Sequence, residues 1–121
     1  MSYVYEIKNK VMYKTEIFEE EMQKLAGMAR ALSHPARLSI LRYLASTKVC
    51  ISGDISDQIP LSRSTVSQHL KELKEAGLIK GEVEGTRINY CLQKSTIEKM
   101  IENFTSFFKN IQPETEMNCQ I

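Results

Sequence analysis

No apolar run in this 121-residue sequence approaches the length that a membrane-spanning helix needs. The first ten residues, MSYVYEIKNK, lack the apolar core of a signal peptide. The chain has only three cysteines, and their odd number and wide spacing argue against a disulfide scaffold. These absences together predict a cytoplasmic protein.

The sequence also lacks the motifs of common enzyme classes. It has no recognisable nucleophile–base pair, no glycine-rich phosphate loop and no motif of paired carboxylates. Repeats and low-complexity tracts are absent as well. Because 42% of the residues are hydrophobic and 26% are charged, we expect a folded chain, and its length suits one domain. We therefore predict a single domain that is not an enzyme.

The net charge of +1 conceals an uneven distribution. Residues 30–48 hold four basic residues and no acid, giving +4, and residues 60–94 give +2. Residues 1–29, 49–59 and 95–121 give −1, −2 and −2. A basic middle between acidic ends favours a polyanion partner, although ordinary scatter of surface charge is the alternative.

Apolar residues recur at helical spacing in four stretches, and a short stretch before Pro60 is interpreted as a further helix, so five helices are predicted. The predicted spans are Tyr13–Leu32, Pro35–Ser46, Gly53–Gln58, Ser62–Gly77 and Thr96–Ile111.

Cap residues and a proline divide the helices. Ser33 and Ser62 are the expected N-caps of the second and fourth helices, and Gly77 is the expected C-terminal glycine of the fourth. Pro60 ends the third helix just before Ser62. Two helices joined by so tight a turn predict a helix-turn-helix.

After Gly77 the apolar period changes to alternation, around Val83 and again over residues 88–92. Glu84-Gly85-Thr86 separates the two runs, which predicts a β-hairpin with a glycine-containing tip. We assign residues 1–12 to a flexible N-terminal segment, 13–111 to the folded domain and 112–121 to a polar tail.

The fourth predicted helix divides cleanly on a helical wheel. Its core stripe comprises Val66, Leu70, Leu73 and Gly77. The opposite arc comprises Ser64, Ser67, Gln68 and Lys71, while the acids of this helix come only later in its sequence. Short hydroxyls and an amide near a helix N-terminus suit contact with base edges in a DNA major groove. A solvated helix with polar residues outward is the alternative.

The motifs LSHPARLSILRYL, LSRSTVSQHLKELKEAGLI and GEVEGTRINYCL resemble the ArsR/SmtB family of bacterial winged-helix repressors. The resemblance covers about residues 25–95. It implies a mainly α fold with a small β-hairpin: a winged helix-turn-helix of about five helices and a two-stranded wing. It also implies a homodimer built from the first and last helices, which binds an imperfect palindrome in double-stranded DNA as a repressor.

The resemblance further assigns roles within the DNA-binding surface. Base-side contacts fall on Arg63, Ser64, Ser67 and Gln68, a phosphate contact on Lys71, and wing contacts on Thr86 and Arg87. His69 lies beside the core stripe, so we interpret it as structural, with a phosphate contact as the alternative. His34 is interpreted as a helix-start residue.

The signal that releases DNA is less well defined. The family's best-known metal box, Cys-x-Cys before Asp-Leu, aligns here with Ile51 and Gly53. The last helix has no histidine, which argues against the family's other common site, for zinc. Cys50, Cys91 and Cys119 remain candidate thiolate ligands for a soft metal or metalloid such as arsenite. Thiol oxidation, another effector, or none are the alternatives.

A second class of function is a protein-interaction module on the same scaffold. Its helix face and wing would then typically be acidic or apolar, and the basic residues on both surfaces count against it. The phenylalanines of Thr96–Ile111 likewise allow two interpretations, a dimer interface or the core of a lone domain.

Overall fold

A computed structural model describes residues 4–7, 10–47, 51–52 and 55–119. Its elements in chain order are β1 (Val4–Ile7), β2 (Lys10–Tyr13), a 3-10 helix (Lys14–Ile17), α1 (Glu20–Ala31), α2 (Pro35–Ser46), β3 (Ile51–Ser52), a second 3-10 helix (Ile55–Gln58), α3 (Arg63–Glu75), β4 (Ile79–Glu84), β5 (Arg87–Leu92) and α4 (Lys94–Ile111). Within these described ranges, no helix is both long and apolar enough to cross a membrane.

The second 3-10 helix and α3 form the predicted helix-turn-helix. Ser62 is the N-cap of α3, and its hydroxyl accepts a hydrogen bond from the Thr65 N–H at 3.4 Å. The N-cap of α2 is His34, whose Nδ1 accepts from the Ala36 N–H at 2.9 Å. The prediction of Ser33 as this cap was therefore wrong, because its hydroxyl turns back and donates to the Arg30 carbonyl at 2.6 Å.

Gly77 ends α3 in the predicted way. Its φ of 77° lies in the left-handed region that favours glycine. The Gly77 N–H donates to the Lys74 carbonyl, and the Leu78 N–H donates to the Leu73 carbonyl, each at 3.0 Å. This pair of bonds is a Schellman motif, which directs the chain from α3 into β4.

The wing is a three-stranded antiparallel sheet in the order β3-β5-β4. Strands β4 and β5 form the predicted hairpin, with Gly85 at its tip at a φ of 64°. Strand β3 was not predicted, because two residues are too few to show an alternating pattern. It adds to β5 through the pairs Ile51–Tyr90 and Ser52–Asn89.

The core lies between the helices and the base of the wing. Ile40 of α2, Leu73 of α3 and Ile79 of β4 are completely buried in one cluster. Met100 of α4 is buried in the same cluster, and Phe104 packs partly against it. One face of α3 thus packs against α2 and the wing. This packing determines which face of α3 remains exposed to solvent.

Two predicted helices are shorter in the structure. The first begins at Glu20 instead of Tyr13, because Tyr13 lies in β2 and Glu19 takes a non-helical conformation before the helix. The third is a single 3-10 turn over Ile55–Gln58, and Gly53 lies outside the described residues. The described ranges therefore contain four α-helices, against about five predicted. Residues 4–7 and 10–13 pair as a hairpin, where we predicted a flexible segment over residues 1–12 and the start of a helix at Tyr13.

Candidate nucleic-acid interface

The outward face of α3 carries the side chains predicted to face DNA. Val66, Leu70 and Leu73 are buried, so the helix presents its opposite side to solvent. The exposed residues on that side include Arg63, Ser64, Ser67, Gln68 and Lys71, and the acids Glu72 and Glu75 follow further along the helix. The structure thus brings all five predicted α3 residues onto one accessible surface, hereafter the reading face.

The hydroxyls at the start of α3 have different surroundings. The Ser62 hydroxyl donates to the Thr65 hydroxyl at 2.9 Å and accepts from the Thr65 N–H. Thr65 is therefore part of the cap, as local support for the helix. The Ser64 hydroxyl lies 3.3 Å from that of Ser62 and is also exposed, so it extends the same polar cluster toward solvent. The free N–H groups and the positive end of the helix dipole at this terminus favour a nearby anion.

The wing places its tip at the end of the β4–β5 ladder. Thr86 is exposed beside Gly85 at the turn. The backbone of Arg87 pairs with that of Glu84 in the last rung, while the side chain of Arg87 lies outside what the structure describes. Six residue pairs join the two strands, so the tip is held on an ordered ribbon.

Arg37 of α2 links α3 to the end of α1. Its Nε donates to the Ala31 carbonyl at 2.8 Å, and its Nη2 donates to the Arg30 carbonyl at 3.1 Å. These carbonyls belong to the last turn of α1, where helix carbonyls lack intrahelical partners. The Arg37 Nη1 lies 3.3 Å from Nδ1 of His69 in α3. Sequence reasoning missed this role, because the contact joins residues 32 positions apart.

His69 is the buried polar residue at this junction, with 8% of its surface exposed. Its ring lies 4.3 Å from the ring of His34, centroid to centroid. Burial is the main cause that lowers the pKa of His69, and the nearby His34 and Arg37 lower it further, against an opposing effect of Glu72. A neutral His69 can accept a hydrogen bond from Arg37 at Nδ1. This supports the structural interpretation of His69.

The three cysteines do not form a described metal centre. Cys91 is buried and is bonded in a disulfide, Cys119 is an exposed free thiol, and Cys50 lies outside the described residues. A sulfur in a disulfide is not a thiolate, so Cys91 cannot ligate a soft metal while that bond is present. Among the residues that the structure describes, no group of three His, Cys, Asp or Glu side chains could hold a metal ion.

Comparison with known proteins agrees with this geometry. A family model described as a helix-turn-helix domain matches residues 32–82. The transcriptional activator HlyU of Vibrio cholerae is 31% identical over 69% of this chain and 77% of its own length. The transcriptional repressor SmtB of Mycobacterium tuberculosis is 37% identical over 60% of this chain and 53% of its own length. The chain belongs to the ArsR/SmtB family of winged helix-turn-helix transcriptional regulators.

Solved structures of ArsR/SmtB-type proteins share the fold. One HlyU structure covers 76% of this chain and 99% of its own, with a TM-score of 0.58 and 28% identity. A homodimeric winged helix-turn-helix domain from Mycobacterium bovis covers 88% of this chain and 94% of its own, with a TM-score of 0.57. Its 21% identity supports the fold alone. Because the chain belongs to this family, it is a DNA-binding transcriptional regulator and not an enzyme, as predicted.

The lowered pKa of His69 predicts an acid-sensitive stability. The unfolded chain takes up a proton near the ordinary value of 6.5, whereas the folded chain resists it. The free energy of unfolding that a neutral His69 contributes is therefore fully present above pH 6.5. It is lost as the pH falls through the lower pKa that His69 has in the folded chain. Urea unfolding of wild type and His69→Gln at several pH values between 7.5 and 5 should show the stability advantage of wild type shrinking on acidification. An advantage that stays constant or grows would contradict this account.

Proposed function

We propose that this protein is a sequence-specific repressor that binds an imperfect palindrome as a homodimer. The observation that carries the proposal is the reading face: hydroxyls, one amide and two basic side chains lie exposed on α3 while its other side is buried. The hydroxyls and the amide can both donate and accept hydrogen bonds, and the basic side chains donate them, as direct recognition of base edges requires. An acidic or apolar face would instead favour a protein partner.

Each residue of the reading face has a role that follows from its chemistry. Gln68 can bond two adjacent atoms of an adenine, and Ser64 and Ser67 can bond several bases at close approach. Arg63, in the first turn, can reach a guanine or a phosphate, and Lys71 supplies a point charge for a phosphate. We assign Thr86 and Arg87 to the backbone or minor groove beside the wing.

The dimer is supported by apolar surface that the single chain leaves exposed. In α4, Ile101 and Phe108 remain 62% and 60% exposed, whereas Met100 and Phe104 turn toward the core. The phenylalanines of this helix therefore divide between core and surface. Ile17, before α1, is 74% exposed. Apolar side chains of this size are typical of surfaces that a partner covers.

Two-fold symmetry then dictates the form of the operator. A dimer presents two α3 helices to successive major grooves, so the half-sites are related by the same two-fold axis. We propose repression, by occupation of the operator in the cytoplasm, as the mode of action. Among the relatives, HlyU is named an activator and SmtB a repressor, so a reporter assay must test this choice.

Two signals are candidates for release of DNA. A soft metal or metalloid such as arsenite requires free thiolates on Cys50, Cys91 and Cys119. Thiol oxidation is favoured by a specific observation, the disulfide at Cys91.

Replacing Gln68 by alanine tests the reading face. The variant Gln68→Ala should lose about 1–3 kcal/mol of binding free energy at one base pair of each half-site, because a two-bond contact is removed. The measurement is fluorescence anisotropy with a duplex selected by the protein from a random pool, and with duplexes mutated at each position. The matched control is Gln112→Ala, which removes the same side chain just after α4, away from the reading face. If both variants lose affinity equally, or neither does, Gln68 does not read a base.

Placing a charge on the exposed side of α4 tests the dimer. Phe108→Glu should shift the protein from dimer to monomer in analytical ultracentrifugation, because the interface would have to bury an unpaired carboxylate. The same variant should also bind the operator more weakly than wild type. The control is Lys99→Glu, an exposed position on the same helix away from the apolar face. A wild type that sediments as a monomer, or a Phe108→Glu variant that stays dimeric, contradicts the proposed interface.

A further inference from the structure

An apolar groove of about 610 Å³ opens beside the core, between α2 and α4. At its base lie Leu78 and Met100, which are buried members of the core cluster. Leu41 and Ala45 of α2 and Phe104 of α4 belong to its walls. The volume lies within the range of sites that bind small molecules, and a lining that is mostly apolar is usual for such sites.

The apolar lining carries one positive charge. Among the described residues that line the groove, Arg42 of α2 is the charged one, and Thr105 of α4 adds a hydroxyl. Arg42 is exposed, and within the described ranges no carboxylate forms an ion pair with it. Residues 30–48, which include all of α2, contain no acid, so the helix itself offers Arg42 no counter-ion. A guanidinium with several N–H donors is well suited to binding a carboxylate.

We propose that this groove binds a small aliphatic carboxylate, with its hydrocarbon chain on the apolar lining and its carboxylate at Arg42. The lining is mostly aliphatic, so it offers a methylene chain contact along its length. Removing the apolar surface of the ligand from water favours binding. An exposed ion pair contributes little free energy by itself, so the groove supplies most of the affinity and Arg42 supplies the selectivity for an anion.

The groove lies beside the surface that we assign to the dimer. Ile101 of α4 contributes to both, whereas Phe108 and Ile17 are outside the lining of the groove. The rest of the lining comes mainly from α2, from the base of the wing and from the core-facing side of α4. We therefore expect the groove to stay accessible in the dimer. A second copy that covers it is the competing occupant, which the experiment must distinguish.

Leu78 connects the groove directly to α3. Its N–H donates to the Leu73 carbonyl near the end of α3, and its carbonyl accepts from the Gln93 N–H, just before α4, at 2.8 Å. A molecule in the groove would thus contact the residue that joins α3 to the wing and to the start of α4. The site is independent of the proposed function, because binding to it is measured without DNA.

Binding is tested by NMR titration of the isotope-labelled full chain with decanoate. Wild type should bind with a Kd of about 1 mM or tighter, and each methylene removed from the chain should weaken binding by about two- to fourfold. Amide shifts should centre on residues 41–45 and 97–105 and leave residues 62–71 unchanged. Decanol and decylamine keep the chain and change the head group, so both should bind about three- to fivefold more weakly. Equal binding of the three molecules, or shifts centred elsewhere, overturns the site.

Reversing the charge at Arg42 tests the selectivity. Arg42→Glu should weaken decanoate binding by at least about fivefold and strengthen decylamine binding, and a gain of binding cannot come from a variant that fails to fold. The matched control Arg30→Glu reverses an exposed charge in α1 outside the groove lining and should change neither affinity by more than about twofold. Unchanged decanoate binding in Arg42→Glu contradicts the proposal. Decanoate binding that is confined to the monomeric Phe108→Glu variant and absent from wild type also contradicts it, because a second copy would then be the occupant.

Discussion

The packing of α3 into the core is the constraint on which the proposed DNA-binding surface depends. Leu73 is completely buried in the cluster that contains Ile40 of α2, and Val66 is almost completely buried in it. Burying a large aliphatic side chain stabilises a fold by about 1.5–3 kcal/mol. Rotating α3 to present another face would expose this stripe, so the outward direction of Gln68 follows from core packing.

Polar contacts add a second restraint on the same helix. Arg37 bonds to the last carbonyls of α1 and lies against His69 in the middle of α3, so the two helices are held in a fixed relation. The guanidinium donates to the Ala31 carbonyl, which the end of α1 leaves without an intrahelical partner, and adds a bond to the Arg30 carbonyl, which also accepts from Ser33. A helix that reads bases must be held to within fractions of an ångström, and a planar donor with several N–H groups suits this task.

Much of this arrangement was predictable because it depends on local signals. The apolar period of α3, the cap at Ser62 and the left-handed glycine at Gly77 are each set by a few neighbouring residues, and all three were confirmed. The exposed arc follows once that period is known. The family resemblance was confirmed, and the matching family model spans residues 32–82, which contain the first two of the three motifs.

What could not be predicted depends on residues far apart in the sequence. The bonds from Arg37 to α1 and α3 join different helices, so no local period reveals them. Strand β3 is too short to show alternation and exists through its pairing with β5. The disulfide at Cys91 could not be predicted either, because three isolated cysteines in a sequence do not define one. The start of α1 was placed too early because an apolar stripe continues across Ile17, where the chain forms a 3-10 turn.

Amide hydrogen exchange of the full chain, with and without its selected operator duplex, tests the central claim most directly. If α3 and the wing read DNA, the added protection should centre on residues 62–71 and on the hairpin tip at residues 84–87. Protection centred on α1 and α4, with α3 and the wing tip unchanged, would contradict the account.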